Sequence, residues 1–456
     1  MSDWCDAEEH ADRALEMYER GRWAEAEAEL RKAIALNPEQ PEWHFNLGLT
    51  LEVAGRDADA LASYERAVAL MSGQADPLLA AGIVANRLGQ FERAIDWLQQ
   101  AVRIDSQCEL AYAHQIESNV RLGRHEEAET TFYLAEGAME HRSAHCLAAI
   151  AQSLFQCRRY DRAEWCIRQA LRIDPTIPRL RARLGAVYAA TCRPRKALQL
   201  YLRDLRDDPG NVETLLDFGE ALIDLGRLPE AAEKFRQILE LEPANVDAHY
   251  RLGEIAMTGG RYEQAHLEFE LVFKLDPQDP QVRVALAEAL LRRGRIEQAR
   301  GYLREVLEHG QAGEEAARPE IDIARLGSLL LEAGLPGEAA GVLDRAVAGV
   351  GESPQLLREL ALARFQAGDR DGGVAASRRL LRLDGRCLVS MHNLALAALE
   401  QRRLRVAAGW ITRGLRVDRH DDGLRRLRMR LWLAWLGDAL RRLIGGFRPT
   451  ISRRGS

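Results

Sequence analysis

GRYEQAHLEFELVFKLDPQDP, from Gly260 to Pro280, is the stretch on which the fold turns. It holds His266, two Phe and several carboxylates, and read alone it resembles part of an active site. Versions of it recur as GRWAEAEAELRKAIALNPEQP from Gly21 and GRLPEAAEKFRQILELEPANV from Gly226. Such recurrence marks a structural unit rather than a catalytic one.

Aligned on these turns, the chain has a 34-residue period with starts at Ala7, Pro41, Ala75, Glu109, Ala144, Pro178, Val212, Val246, Pro280, Glu320, Pro354 and Leu388. Ser143 is extra before the fifth repeat, and Glu314 to Pro319 are extra before the tenth. The expected organisation is an N-terminal arm at 1–6, nine repeats over 7–313, an insertion at 314–319 serving as loop or hinge, three repeats over 320–421, and a basic C-terminal helix and tail over 422–456. The last two repeats are degenerate, with Arg364 at a core position, Gly372 and Gly373 inside a helix, and Arg402 in place of a turn glycine.

Each repeat reads as two helices. In the one starting at Val246, helices are predicted over Val246 to Thr258 and Tyr262 to Lys274. Gly259-Gly260 supplies the left-handed turn after the first. Pro277 cannot continue the second and biases Asp276 out of it. Leu252, Gly253 and Ala256 share a face of the first helix, and Ala265 and Phe269 a face of the second, with small residues allowing close approach and large ones filling the space around them. The same phases hold Leu47, Gly48, Leu51, Ala60, Tyr64 and Ala67 in the second repeat and Phe218, Gly219, Leu222, Ala231 and Phe235 in the seventh. One such pair cannot bury its apolar stripe, so neighbours must stack on it.

This pattern resembles the tetratricopeptide repeat family over about nine-tenths of the chain. The resemblance implies an all-α fold, a right-handed superhelical solenoid of antiparallel helix pairs whose first helices line the concave surface, and a function in binding peptides or partner proteins. Two specialised ligand classes of the family are not carried over. Where a clamp for terminal carboxylates has Lys, this chain has Ala148, Ala182, Leu216 and Tyr250. Where an asparagine ladder runs in sugar-transferring members, only Asn46 and Asn393 appear, among Ala80, His114, Arg183, Asp217 and Arg251.

Composition agrees with a helical array: aromatics are only 6%, and β-branched runs are absent, so strands have little to form from. The seven cysteines are odd in number and never spaced as C-x-x-C, and the acidic N-terminus lacks the regions of a signal peptide, which together lead us to expect a cytoplasmic protein. Net charge is −6 overall, but Asp422 to Ser456 carries nine Arg against two Asp, so a basic tail follows an acidic body.

Phosphate-cradling, dinucleotide, zincin and nucleophile-elbow motifs are absent, so no enzyme activity, cofactor or metal is expected. His141 and His145 stand four apart beside Glu140, but the repeat boundary falls between them. His266 reads as a packing histidine, and Cys157 and Cys166 as small packing residues. The expected partner-binding residues are those the family geometry turns into the groove: Arg179, Arg183, Glu213, Asp217, Glu220, Asp224, Arg251, Glu254 and Glu288. They suggest a protein or peptide partner with a basic segment, and neither nucleic acid nor a small-molecule substrate.

In the tail, Leu424, Leu427, Leu431 and Trp435 share a helical face, while Trp432, Leu433, Leu436 and Leu440 occupy others. A helix apolar nearly all round expects cover on several sides. It is read as a cap on the end of the array, with an anionic membrane surface or a partner as alternatives, and with Arg428, Trp432, Trp435, Arg441 and Arg442 as contact residues. The expected function is an interaction scaffold; the alternatives are a peripheral membrane assembly factor and a regulatory subunit of a separate enzyme.

Overall fold

The quoted stretch folds as a turn followed by one helix, in a computed structural model that describes residues 2–71, 73–310 and 322–445, with side chains for 6–71, 73–308, 322–349 and 351–439. The insertion at 314–319 lies outside the described residues. Every regular element among the described residues is a helix.

Two bodies divide at Leu241 and Glu242. The first holds α1 (Ser2–Glu19), α2 (Trp23–Leu36), α3 (Pro41–Val53), α4 (Asp57–Leu70), α5 (Ala75–Arg87), α6 (Phe91–Ile104) and α7 (Glu109–Arg121). It continues with α8 (His125–Ala138), α9 (Ala144–Gln156), α10 (Tyr160–Ile173), α11 (Leu180–Ala190), α12 (Pro194–Asp207), α13 (Val212–Asp224) and α14 (Leu228–Leu241). The second holds α15 (Val246–Thr258), α16 (Tyr262–Leu275), α17 (Pro280–Arg292), α18 (Ile296–Gly310), α19 (Ile323–Glu332) and α20 (Pro336–Val350). It ends with α21 (Pro354–Gln366), α22 (Arg370–Leu383), α23 (Leu388–Glu400), α24 (Leu404–Val417) and α25 (Asp422–Gly445). Within each body an odd-numbered helix packs on the even-numbered one that follows, and that one on the next pair. Each repeat is therefore one helix pair, as its sequence predicts.

The repeat phases are the core. Leu252, Ala256, Ala265 and Phe269 are all buried. A Cβ on Gly253 would run into the Phe269 ring, and one on Gly219 would stand 2.5 Å from Phe235 Cζ. Glycine is thus required at these positions by the approach of the aromatic ring from the second helix. Gly260 takes a φ of +70°, and the N–H of Arg261 donates to the Ala256 carbonyl at 2.8 Å, closing the helix. Arg158, Cys192 and Arg402 occupy the same turn position in other repeats with φ of 57°, 56° and 55°.

In the eleventh repeat the unusual residues compensate one another. Arg364 bonds Asp344 at 2.6 Å, Phe365 packs where a Cβ on Gly373 would be, and the N–H of Gly372 donates to Asp369 at 2.9 Å. The two glycines cost helix propensity and admit a ring and a capping carboxylate in return.

α25 packs on α23 and α24 through Leu424, Leu427 and Leu431, which bury against Ala395, Ala398, Ala407 and Ile411. Trp435 shares their helical phase but is exposed. α25 is also the longer helix, with 24 residues against 14 in α24, about 36 Å against about 21 Å. The buried part of this face ends at Leu431, and Trp435, four residues on, is exposed.

Candidate functional site

In the first body, α7, α9, α11 and α13 line a groove of about 660 Å³. In the second, α15, α17 and α19 line one of about 440 Å³. These are first helices of successive repeats, and the sixth residue of a repeat recurs in the linings. His114, Arg183 and Asp217 hold that position in the first groove, Arg251 and Arg325 in the second. The spacing puts one side chain per repeat at the same height along the groove wall.

Four of the expected residues meet in the first groove. Arg179 caps α11 in a left-handed conformation at φ 59°, and its guanidinium pairs with Glu213 on α13. Its Nε is buried without a hydrogen-bond partner among the described residues. Arg183, one turn on, donates from Nη1 to the Ala148 carbonyl of α9 at 3.3 Å. Burial, and then the like charge of Arg179, push its pKa down, while Glu117 pulls it up. The Asp217 carboxyl is pushed up to about 6 by burial and then by Glu220, against the pull of Arg179. Opposite them, His114 Nδ1 lies 3.2 Å from Glu117 Oε2, and this hydrogen bond holds the Glu117 carboxyl below its usual value. Glu220 and Asp224 are exposed on α13 and stand outside this lining.

The acidic run does not continue as a bare wall in the second body. Arg251 Nη1 donates to Glu254 at 2.9 Å, and Arg325 donates from Nε to Glu288 at 2.9 Å. Glu288 is therefore a support behind Arg325, and does not itself line the groove. Burial together with Glu254 raises the pKa of Tyr250, which faces the same space. Arg325, Asp322 and Tyr250 were not among the expected groove residues. The signal for Arg325 was present: it holds the sixth position of the tenth repeat, as Arg183 does in the sixth.

Other candidates resolve locally. α8 stops at Ala138 and α9 begins at Ala144, so His141 and His145 do not share a helix; His145 lines the first groove. His266 lies 3.9 Å from Glu270, and burial and Arg293 lower its pKa. Cys166 is buried and its thiol pushed up to about 11. Cys157, read as a packing residue, is instead exposed, because it follows α9 at the turn rather than facing the core. Among the described residues no group of His, Cys, Asp and Glu is arranged to hold a metal ion. In the tail, Arg428, Trp432 and Trp435 are exposed, and the side chains of Arg441 and Arg442 lie outside the described residues.

Models described as tetratricopeptide repeat match residues 11–78 and 216–280, residues 260–318, and residues 75–108 and 144–177. The chain is similar to the crystal structure of the APC/C hetero-tetramer Cut9-Hcn1 over 92% of its length and 95% of that chain, at 17% identity and a TM-score of 0.41. It is similar to yeast Tom70 over 95% and 96%, at 16% identity and a TM-score of 0.40. A third likeness is to Pseudomonas aeruginosa pilF, over 54% and 94%, at 20% identity and a TM-score of 0.38. TM-scores this low have no bearing on what this chain binds. A comparison with the curated proteins finds no match.

Proposed function

Because the chain belongs to the tetratricopeptide repeat family, whose members hold protein partners, we propose that it is a non-enzymatic scaffold whose first groove takes an extended protein segment with a cationic side chain seated at Asp217. The observation that carries this reading is the Asp217 carboxyl itself, half-buried beside Glu220 and pushed up to about 6. An ionised carboxylate in that setting is destabilised, and a Lys or Arg placed against it relieves the cost. Arg179 is already committed to Glu213, and Arg183 is held on the α9 backbone. The basic residues of the groove thus orient the segment by repelling its other cations from the Arg179 and Arg183 end.

The test is panning of a displayed random-peptide library on the full-length protein. Peptides rich in Lys and Arg should be enriched at pH 7.5, and binding should weaken as the pH falls through about 6, where Asp217 takes up its proton. Asp217→Arg with Glu220→Arg should abolish the enrichment. Enrichment that is absent, or that survives the double substitution, refutes the proposal.

A further inference from the structure

α25 carries a second apolar face. Met429, Trp432, Leu433 and Leu436 fall at i, i+3, i+4 and i+7, one stripe on a helix, and are 63%, 58%, 56% and 46% exposed. At 100° per residue this stripe stands opposite Leu424, Leu427 and Leu431, which bury against α23 and α24. Among the described residues, cover for the helix therefore comes from one side only, and four large apolar side chains face outward in a row. Single exposed apolar residues are ordinary, whereas a contiguous row marks an interaction surface.

The charges around the stripe select its occupant. Arg426 and Arg430 border it on one side and Arg428 on the other, and Arg425 continues its line one turn toward the N-terminus, all exposed. From Gly423 to Gly445 the sequence has six Arg against one acid, Asp438, and that acid is bonded to Arg402 at 3.2 Å. A second copy of the chain would bring one Arg-bordered stripe against another. An anionic surface meets the same border with opposite charge and makes no demand for a shaped pocket. Trp and Arg suit the bilayer interface, where an indole sits among headgroups and a guanidinium pairs with phosphate. No helix among the described residues is long and apolar enough to cross a membrane.

We propose that the outward stripe of α25 docks on an anionic phospholipid surface, lying in its plane, while the inward stripe keeps the helix fixed to α23 and α24. This surface is separate from the grooves and stands or falls independently of what they bind.

Flotation of the full-length protein with phosphatidylcholine vesicles, and with vesicles that also contain phosphatidylglycerol, tests the proposal. The protein should float with the anionic vesicles only, and raised salt should release it. Trp432→Gln with Leu433→Gln, and separately Arg426→Glu with Arg430→Glu, should each lower the floated fraction about tenfold, with unchanged circular dichroism. The proposal is overturned if the wild-type protein does not float with anionic vesicles, floats equally with neutral ones, or floats undiminished in both variants. It is also overturned if light scattering shows a dimer that Trp432→Gln with Leu433→Gln dissolves, since a second copy would then cover the stripe.

Discussion

Replacing Asp217 by Asn should stabilise the seventh repeat, and the gain should depend on pH in a specific direction. The carboxyl titrates at 3.8 in the reference state and at about 6 in the folded protein. A folded-state pKa raised in an acid means that the native chain binds the proton more tightly than the unfolded one. Stability contributed by this group is therefore full below 3.8, is lost as the pH rises from there to about 6, and stays lost above. At about 1.4 kcal/mol per unit the ceiling is about 3 kcal/mol. Asp217 is not fully buried, so solvent screening reduces the figure to about 1–2 kcal/mol.

In a repeat array, global melting mixes several transitions, and local opening is the cleaner observable. Hydrogen exchange of peptides from α13 and α14, followed by mass spectrometry, should be slowed roughly 5- to 30-fold by Asp217→Asn at pH 7.5. At pH 4.5 the native carboxyl is already neutral and the benefit should shrink to about a third. Equal exchange of the two proteins at pH 7.5, or a gain that grows as the pH falls, would refute the account of Asp217 as a buried, electrostatically stressed acid.

Two further substitutions probe the repeat itself. Gly253→Val should cost about 1–3 kcal/mol, because the new side chain meets the Phe269 ring; loss of protection in α15 and α16 measures it, and unaltered exchange there would show that the ring can move aside. Cys192→Gly should stabilise α11 and α12 by about 0.5–1 kcal/mol, since an L residue is held there at φ 56° on an exposed turn. A slower exchange of those helices is expected, and a faster one would show that the thiol makes a contact worth more than the backbone strain.

How much of this was legible beforehand follows from the range of each interaction. The helix pairs, their turns and their core come from residues within one 34-residue window. Gly259-Gly260, Ala265, Phe269 and Pro277 could therefore be assigned roles from spacing alone, and the helices at Val246–Thr258 and Tyr262–Leu275 lie within a residue of their predicted bounds. Arg364, Gly372 and Gly373 read as departures from the repeat, and that Arg364 pairs with Asp344, Gly372 takes the Asp369 cap and Phe365 fills the space over Gly373 is visible only in the structure. Trp435 reads in the phase of Leu424, Leu427 and Leu431 and as a contact residue, and that it alone of the four stays exposed is a matter of neighbours that phase does not report.

The charged groove shows the division most clearly. The sixth position of each first helix can be read off the period, and that phase carries His114, Arg183, Asp217, Arg251 and Arg325. Which of these charges is spent on a neighbour is decided by distance, across repeats for Glu213 to Arg179 and Glu288 to Arg325 and within α15 for Glu254 to Arg251, while Asp217 is left with a raised pKa. By itself, then, the sequence determined the repeat, its core and the face that bears the charges, because local periodicity dictates helix and phase. Only the tertiary structure decided which carboxylate is stressed and which face of α25 stays uncovered, because pairing and burial depend on residues that chain order does not bring together.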